Sequence, residues 1–363
     1  MKKLLCLFSG LLLFTLDLPA SLAADTLSAS KGDLRVMTYN VNEGTDFIEV
    51  QHAATPLQFL LAVGQTVTQV RATNPPQRMR ALAKQIISAA PDLVSLQEVD
   101  KWSTGAFDPV AMTCGPTTLE FDMLHELQEA LTAQGAHYRV AVRAQQYAFP
   151  PTPGLIPPST FLCVQVVNEV AILARTDLQQ STFHWSNPRS AQFVNKLFFP
   201  TPTGALLPFP RTWASVDGVF QGKAFRFINT HLESVDPNIR ELQGDELRDG
   251  PANTSLPIIV AMDSNAQAFP LPQDATYLDF VGAGYKDVWA QIFPQKPGLT
   301  CCQAQLDNNP VSELYQRIDL ILTLGPIKAE KIALFGAEPA SRTSDGLWPS
   351  DHAGVAARLT LEE

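Results

Sequence analysis

The chain has 363 residues and a formal net charge of −10, from 36 acidic and 26 basic residues. A balance this acidic argues against a protein that binds polyanions through general surface charge, although a bound metal ion could supply local positive charge. The length suits either two average domains or one large α/β domain.

The first residues have the pattern of an export signal. Lys2 and Lys3 precede an apolar run over residues 4–16, and small residues follow it. We predict a signal peptide over residues 1–24, which would direct the chain to secretion or to the periplasm. A membrane anchor is the alternative, but it needs roughly 20 apolar residues. Asp17 ends this run too early.

The rest of the chain, residues 25–363, is predicted to form a single α/β domain, because apolar strand patterns alternate with amphipathic helix patterns. Strands are predicted over residues 34–41, 93–97, 138–144, 164–174, 213–219, 224–230, 257–262, 316–323 and 355–359, and helices over residues 57–70, 77–90, 120–134 and 238–248. We interpret three stretches as long insertions that could build a substrate-specific rim: residues 43–76, 102–119 and 185–211. The last of them is expected to be irregular.

Polar residues recur at the ends of these apolar strands, where α/β folds place their chemistry. Each has an ordinary explanation by itself, such as a turn, a cap or the first solvated residue after a strand. Asp319 is the exception, because a carboxylate inside an apolar strand is costly unless it is paired. The candidates are Asn40, Glu98, His231, Asp263, Asn265, Asp319, Asp351 and His352.

Together these residues fit metal-assisted hydrolysis of a phosphate ester. Glu98 and Asp351 supply hard oxygen ligands, which suit Mg²⁺ or Mn²⁺. The metal would neutralise charge that develops on the phosphate.

The remaining candidates fit the other roles of that reaction. His352 would deprotonate water while Asp319 orients its ring. Asp263 and Asn265 would hold the nucleophile and a phosphate oxygen, and His231 would act as a second donor to the phosphate or as an acid.

The motifs Thr230-His231-Leu232, Arg317-Ile318-Asp319 and Ser350-Asp351-His352 occur in this order, after the isolated Asn40 and Gln97-Glu98. In this arrangement the chain resembles the endonuclease/exonuclease/phosphatase superfamily over residues 34–359. The resemblance implies a four-layer α/β sandwich of two packed, mainly antiparallel sheets flanked by helices.

The same resemblance assigns site roles. It implies Glu98 as the principal metal ligand with Asn40 and Asp351 nearby, Asp319 orienting His352, and Asp263 and Asn265 beside the scissile phosphate. Two positions depart from the family pattern. Asn42 stands where some relatives have an acidic residue, which argues against a second metal site. Met262 stands where the family commonly has glycine, and its Cβ is expected to crowd a turn.

Four cysteines follow residue 24, and an even number in an exported chain indicates disulfides. We predict a Cys114–Cys163 bridge, because both residues lie in loop-like, proline-rich surroundings. The adjacent Cys301 and Cys302 are left either as a vicinal bridge or as two thiols. A zinc site is disfavoured, since no CxxC or histidine spacing accompanies these cysteines.

The sequence therefore predicts a secreted, metal-dependent phosphodiesterase or nuclease, with no stable protein partner. The substrate is either nucleic acid or a phospholipid head group. A nuclease should show a basic stripe, and the clusters around Arg71 and Arg139 are thin. Residues 193–209 are apolar enough for transient contact with a membrane surface, or they pack back on the core. A non-catalytic binding protein on the same fold is the remaining alternative.

Overall fold

The computed structural model describes residues 32–200, 204 and 206–363, so the predicted signal peptide lies outside the described residues. The strands are β1 (Leu34–Asn40), β2 (Leu93–Gln97), β3 (Lys101–Asp108), β4 (Thr113–Asp122), β5 (Tyr138–Ala148), β6 (Thr152–Ile156), β7 (Thr160–Arg175), β8 (Phe183–Gln192), β9 (Leu197–Pro200), β10 (Leu206–Phe209), β11 (Thr212–Phe220), β12 (Lys223–His231), β13 (Ile258–Asp263), β14 (Lys286–Asp287), β15 (Asp319–Leu324), β16 (Ile327–Phe335) and β17 (Gly354–Leu361). The helices are α1 (Ile48–Gln51), α2 (Pro56–Ala72), α3 (Pro75–Ala89), α4 (Met123–Ala133), α5 (Pro237–Asp249), α6 (Ala275–Gly282) and α7 (Val288–Ile292), and Pro339–Ser341 forms a 3₁₀ turn.

Two large sheets form the centre of the fold. The first has the order β16-β17-β1-β2-β7-β3-β4, with β5 and β6 also paired to β7, and the second has the order β14-β15-β13-β12-β11-β8. Only the β1–β2 and β12–β13 pairs are parallel among the pairs of these two sheets in the described residues. The predicted α/β sandwich with mainly antiparallel sheets is therefore confirmed.

Alternation of apolar residues explains the layers, because successive side chains of a strand point to opposite faces. Val36 of β1, Ile172 of β7 and Phe227 of β12 belong to one buried cluster between the sheets. The outer face of the first sheet packs against α2, α3 and α4, and that of the second packs against α5 and α6. The order of layers is thus helices, sheet, sheet, helices.

The regions read as insertions contain more regular structure than the sequence indicated. Residues 102–119 form most of the β3–β4 hairpin, which extends the first sheet. The irregular structure expected over residues 185–211 is wrong, because β8 pairs with β11 at the edge of the second sheet and β9 pairs with β10 in a separate hairpin. Proline-rich stretches and exposed strands hide the period-two signal in these regions.

Three local expectations are also settled. Cys114 and Cys163 form the predicted disulfide, and Cys301 is paired with Cys302. The expectation that Met262 crowds a turn is wrong, because Met262 lies fully buried within β13.

Within the described ranges, no helix has the length and apolar character needed to span a bilayer.

Candidate active site

Strand register brings the candidate residues to one edge of the sandwich. In the second sheet, His231 pairs with Asp263, and Asp263 pairs with Asp319, so three strands deliver these side chains side by side. In the first sheet, Asn40 pairs with Gln97 at the end of the parallel pair β1–β2, and Glu98 follows directly. The two sheets therefore place their polar strand ends at the same cleft.

Asn40 connects the two sheets across this cleft. Its Nδ2 donates to Glu98 Oε1 at 2.8 Å and to Asp263 Oδ2 at 2.9 Å. Its Oδ1 accepts the backbone N–H of Asn42 at 2.9 Å. Asn40 thus orients one carboxylate from each sheet.

Glu98 lies where several negative charges meet. Its backbone is in the left-handed region, with φ 59°, a conformation that costs a non-glycine residue about 1–3 kcal/mol and that clusters at functional sites. Its Oε2 accepts the backbone N–H of Glu43 at 2.7 Å. Burial raises the pKa of Glu98 to about 8, and the charges of Glu43 and Asp351 add to the rise.

This crowding fits a bound cation. Glu98, His231 and Asp263 each place one ligand atom within 4.8 Å of the others. Asp351 contributes a further carboxylate, which is part-exposed and close enough to raise the pKa of Glu98. Carboxylate oxygens are hard donors, which Mg²⁺ and Mn²⁺ prefer.

His352 and Asp319 form a buried imidazole–carboxylate pair. His352 Nδ1 lies 2.8 Å from Asp319 Oδ2, while Nε2 lies 3.9 Å from Asp263 Oδ2 and 4.0 Å from Asp351 Oδ1. Burial lowers the pKa of His352, but Asp319, Asp351 and Asp263 outweigh it and raise the pKa well above its ordinary value. The pair leaves Nε2 facing the cleft, where it can exchange a proton.

His231 has a different environment. Burial lowers its pKa to about 3, and the charge of Arg211 contributes to the decrease. Arg211 Nη1 lies 3.2 Å from His231 Nδ1. The same Nη1 also lies 3.4 Å from Nε2, but Nδ1 is the nearer acceptor for a guanidinium, which can only donate, so the contact favours the tautomer with the ring proton on Nε2. That nitrogen is 3.4 Å from Asp263 Oδ2 and faces the cleft.

Asp263 and Asn265 form a tight turn at the end of β13. Asn265 donates its backbone N–H to Asp263 Oδ1 at 3.0 Å and its Nδ2 to the carbonyl of Leu232 at 3.0 Å. Burial raises the pKa of Asp263, but His231, His352 and the Asn40 amide outweigh it, so the net pKa is lowered. Asp263 is thus held as a carboxylate between the two histidines.

Arg78 fixes the loops behind the cleft. It is fully buried and donates to the carbonyls of Val41 at 2.6 Å, Asn42 at 2.9 Å and Pro349 at 3.3 Å. Its Nε lies 3.5 Å from a carboxylate oxygen of Asp307. One side chain therefore anchors both the segment after Asn40 and the segment before Asp351.

All eight predicted residues lie around this cleft, and four neighbours were missed by sequence reasoning. They are Glu43, Arg78, Arg211 and Asp307. Arg211 had a usable signal, since it is a charged residue directly before a largely buried strand. The other three lie in segments without strand periodicity, and no local pattern pointed to them.

The vicinal cysteines also border the cleft. The backbones of Cys301 and His352 form an isolated antiparallel β-bridge. The two sulfurs and a ring nitrogen of His352 lie within 4.8 Å of one another. The sulfurs are paired with each other, so they are not thiolates able to bind zinc.

Solved structures share this fold at low sequence identity. An endonuclease/exonuclease/phosphatase family protein from Bacteroides thetaiotaomicron has a TM-score of 0.58 and 16% identity, over 91% of this chain and 98% of that chain. A mannosyl-6-phosphatase from Bacteroides thetaiotaomicron has a TM-score of 0.54 and 17% identity, over 90% and 99%. A family protein from Leptotrichia buccalis has a TM-score of 0.55 and 15% identity, over 90% and 99%.

No curated protein matches the sequence significantly. Identities this low show the shared fold and do not transfer an activity. The sequence profile of the Endonuclease/Exonuclease/phosphatase family, however, matches residues 37–352. That match covers most of the chain and includes every residue of the cleft, so the chain belongs to the endonuclease/exonuclease/phosphatase family.

Proposed function

We propose that residues 25–363 form a single, exported catalytic domain that hydrolyses a phosphoric ester with the help of a divalent metal ion. The observation that carries this proposal is the His352–Asp319 pair, whose free Nε2 faces a cleft lined by Glu98, Asp263 and Asp351. A base of this kind beside clustered hard ligands suits attack of water on phosphorus.

Glu98 and Asp351 would hold Mg²⁺ or Mn²⁺, with Asn40 fixing the Glu98 carboxylate in place. When bound, such an ion supplies positive charge that stabilises the charge building up on the phosphate. The crowded carboxylates favour its binding, because each raises the cost of leaving the others ionised without a cation.

In its neutral form, His352 would accept a proton from water at Nε2 as the water oxygen bonds to phosphorus, and the ester oxygen leaves with the electron pair of the broken P–O bond. Asp319 holds the ring through Nδ1 at 2.8 Å and stabilises the imidazolium that forms. The leaving oxygen then takes up a proton. The chain's own contribution is thus a base that is already oriented.

Two neutral donors would hold the phosphate. His231 is neutral at neutral pH, and with its proton on Nε2 it would donate to a phosphate oxygen. Asn265 uses one amide hydrogen for the carbonyl of Leu232, which leaves the second for substrate. Asp263 between the histidines would keep both rings in place.

The surface favours a small ester over a nucleic acid. Arg71 is paired with Glu120, Arg78 is buried, and Arg143 is paired with Glu169. These arginines therefore do not form a basic stripe for nucleic-acid phosphates. Export is supported by the Cys114–Cys163 disulfide together with the leader-like first 24 residues.

Turnover of a substrate panel tests the proposal. The panel contains plasmid DNA, RNA, sphingomyelin and bis-p-nitrophenyl phosphate, each with Mg²⁺, Mn²⁺ or EDTA. We expect turnover of a small ester with metal and none with EDTA. Glu98→Gln should abolish the response to metal, whereas Glu241→Gln, on the exposed side of α5, should not.

Turnover that is equal with EDTA would refute the metal-dependent reaction. No turnover of any substrate would favour the non-catalytic binding protein.

A further inference from the structure

An apolar pocket of about 150 Å³ lies beside the candidate active site. Its walls come from α1 and α2, from the loop after β5, from β7 and from the β9–β10 hairpin, with Trp102 at the start of β3. The aromatic residues in its lining are Phe47, Phe59, Trp102, Phe149, Phe199 and Phe209. A concave site with such walls binds hydrocarbon well, because polar groups would lose their hydrogen bonds to water there.

The pocket adjoins the metal-binding side of the cleft through Trp102. The indole Nε1 of Trp102 donates to the carbonyl of Glu43 at 3.1 Å. The backbone N–H of Glu43 in turn donates to Glu98 Oε2 at 2.7 Å. A single residue therefore separates this wall of the pocket from the predicted metal ligand.

The pocket adjoins the phosphate-binding side through Phe209. The guanidinium of Arg211 lies over the Phe209 ring, 5.2 Å from its centroid. The same guanidinium contacts His231 Nδ1 at 3.2 Å. Phe209 also packs against Tyr147 in a tilted arrangement, with ring centroids 4.2 Å apart, and the Tyr147 hydroxyl donates to Glu43 Oε2. The pocket thus touches both sides of the site.

Both strands of the β9–β10 hairpin contribute to the pocket wall, through Phe199 and Pro200 on β9 and Leu207 and Phe209 on β10. Phe199 pairs with Leu207, and Phe198 pairs with Pro208. Paired residues of antiparallel strands share a face, and neighbours along a strand alternate. Phe199 and Leu207 share a face and line the pocket, with Leu207 36% exposed, whereas Phe198 is 50% exposed, Leu206 is 63% exposed and neither contributes to the lining.

We infer that the substrate is an amphiphilic phosphate ester whose hydrocarbon group occupies this pocket while its phosphate lies at His352 and Glu98. The inference rests on the proposed function, whose substrate class it narrows. A cavity of about 150 Å³ can hold a benzene ring, so a group of about six carbons fits. The charged group and the apolar group of such an ester match the two adjoining parts of the site.

Direct binding of alkylphosphonates tests the pocket without requiring turnover, because their P–C bond is not an ester. Isothermal titration calorimetry with Mg²⁺ would compare methyl-, butyl-, hexyl- and octylphosphonate. We expect the Kd to fall about two- to fourfold per methylene up to hexyl and then to level off, since a buried methylene contributes up to about a fourfold gain.

Two adjacent leucines give a matched pair of variants. Leu207→Asp places a charge in the pocket and should raise the Kd for hexylphosphonate at least about tenfold, with that for methylphosphonate unchanged. Leu206→Asp places the same charge on the outer face and should leave both values unchanged. Phe199→Ala and Phe198→Ala form a second pair, of which only the first should weaken the dependence on chain length.

A Kd that does not depend on chain length, or equal effects of Leu206→Asp and Leu207→Asp, would overturn the inference. Turnover of bis-p-nitrophenyl phosphate is measured separately on the same preparation. Chain-length-dependent binding without any metal-dependent turnover would keep the pocket as a binding site and refute the proposed hydrolysis. Metal-dependent turnover together with a Kd that does not change with chain length would support the proposed hydrolysis and refute the pocket as the site of the hydrocarbon group.

Discussion

Single buried side chains hold the cleft together because each bonds to groups that are distant in sequence. Asn40 bridges Glu98 and Asp263, and Arg78 joins the segments before and after the cleft. Buried polar and charged groups such as these destabilise the fold when their hydrogen-bonding partners are removed. The chemistry and the local stability of the site therefore depend on the same residues.

The His352–Asp319 pair gives a prediction at this scale. His352→Ala should lower kcat about 10²–10⁴-fold, as expected for loss of a general base. Asp319→Asn should also lower kcat, and it should move the acidic limb of the pH profile to lower pH, because Asp319 raises the pKa of His352. Steady-state kinetics between pH 5 and 9 measure both effects.

The exposed Asp249→Asn at the end of α5 is the control and should match the wild type. An Asp319→Asn enzyme with unchanged kcat and pH profile would contradict the orienting role of Asp319.

The elements around the pocket meet backbone to backbone, so their spacing depends on glycine. At Gly64 in α2, a Cβ would overlap the carbonyl of Leu155 and lie 3.0 Å from the backbone N of Ile156 in β6. At Gly154 on the opposite side, a Cβ would lie 3.0 Å from the backbone N of Gly64. Since neither backbone can yield easily, this contact sets the distance between α2 and β6.

Gly64→Ala should therefore destabilise the fold by about 1–3 kcal/mol, the usual cost of overpacking. Gly282→Ala, at the end of α6, has no heavy atom of the described residues within 4 Å of the added Cβ and should be neutral or slightly stabilising. Urea denaturation of both variants tests the contact. Equal stabilities would show that α2 and β6 can separate without cost.

Helix α4 carries a titratable group whose effect on stability depends on pH. Burial raises the pKa of Glu126 to about 7, and the charge of Asp122 adds to the rise. The folded state therefore binds this proton more tightly than the unfolded chain, where the pKa is about 4.3. The stabilising contribution of the protonated form is complete below the unfolded pKa and is lost as the pH rises through 7.

Glu126→Gln resembles the protonated form, so it should raise the Tm at pH 8 and have little effect at pH 5. Thermal unfolding at the two pH values measures the difference. Glu129→Gln lies on the same helix at an exposed position and serves as the control. A gain for Glu126→Gln that is the same at both pH values would contradict the raised pKa.

The acidic charge of the whole molecule also bears on its substrate. With a net charge of −10, the chain repels an approaching anion, and salt screens that repulsion. A protein that binds nucleic-acid phosphates through lysine and arginine shows the opposite effect, because its affinity falls as the salt concentration rises.

We therefore expect kcat/KM for bis-p-nitrophenyl phosphate to rise, by up to about tenfold, between 20 and 200 mM KCl. The same measurement with a short DNA substrate is the comparison. A steep fall of kcat/KM with salt for DNA would show cationic phosphate contacts and would favour a nuclease.

The sequence by itself determined the order of the strands that matter and the residue at each strand end. Short apolar runs such as residues 93–97 and 257–262 can be recognised as strands from the local sequence alone. Glu98 and Asp263 could therefore be placed at strand ends without a structure. The three motifs also sufficed for the fold family. The Cys114–Cys163 pairing was predicted correctly, although the two residues lie in strands β4 and β7 and not in the loop-like surroundings on which the prediction relied.

Only the tertiary structure decided which distant residues meet. Asn40 and Asp263 lie 223 positions apart yet share a hydrogen bond, and Arg211 reaches His231 from a segment expected to be irregular. Sequence periodicity describes which face of one element is buried, but it does not specify the element packed against that face. The pocket between α2 and the β9–β10 hairpin arises from such packing, so its place beside the cleft became apparent only in the folded chain.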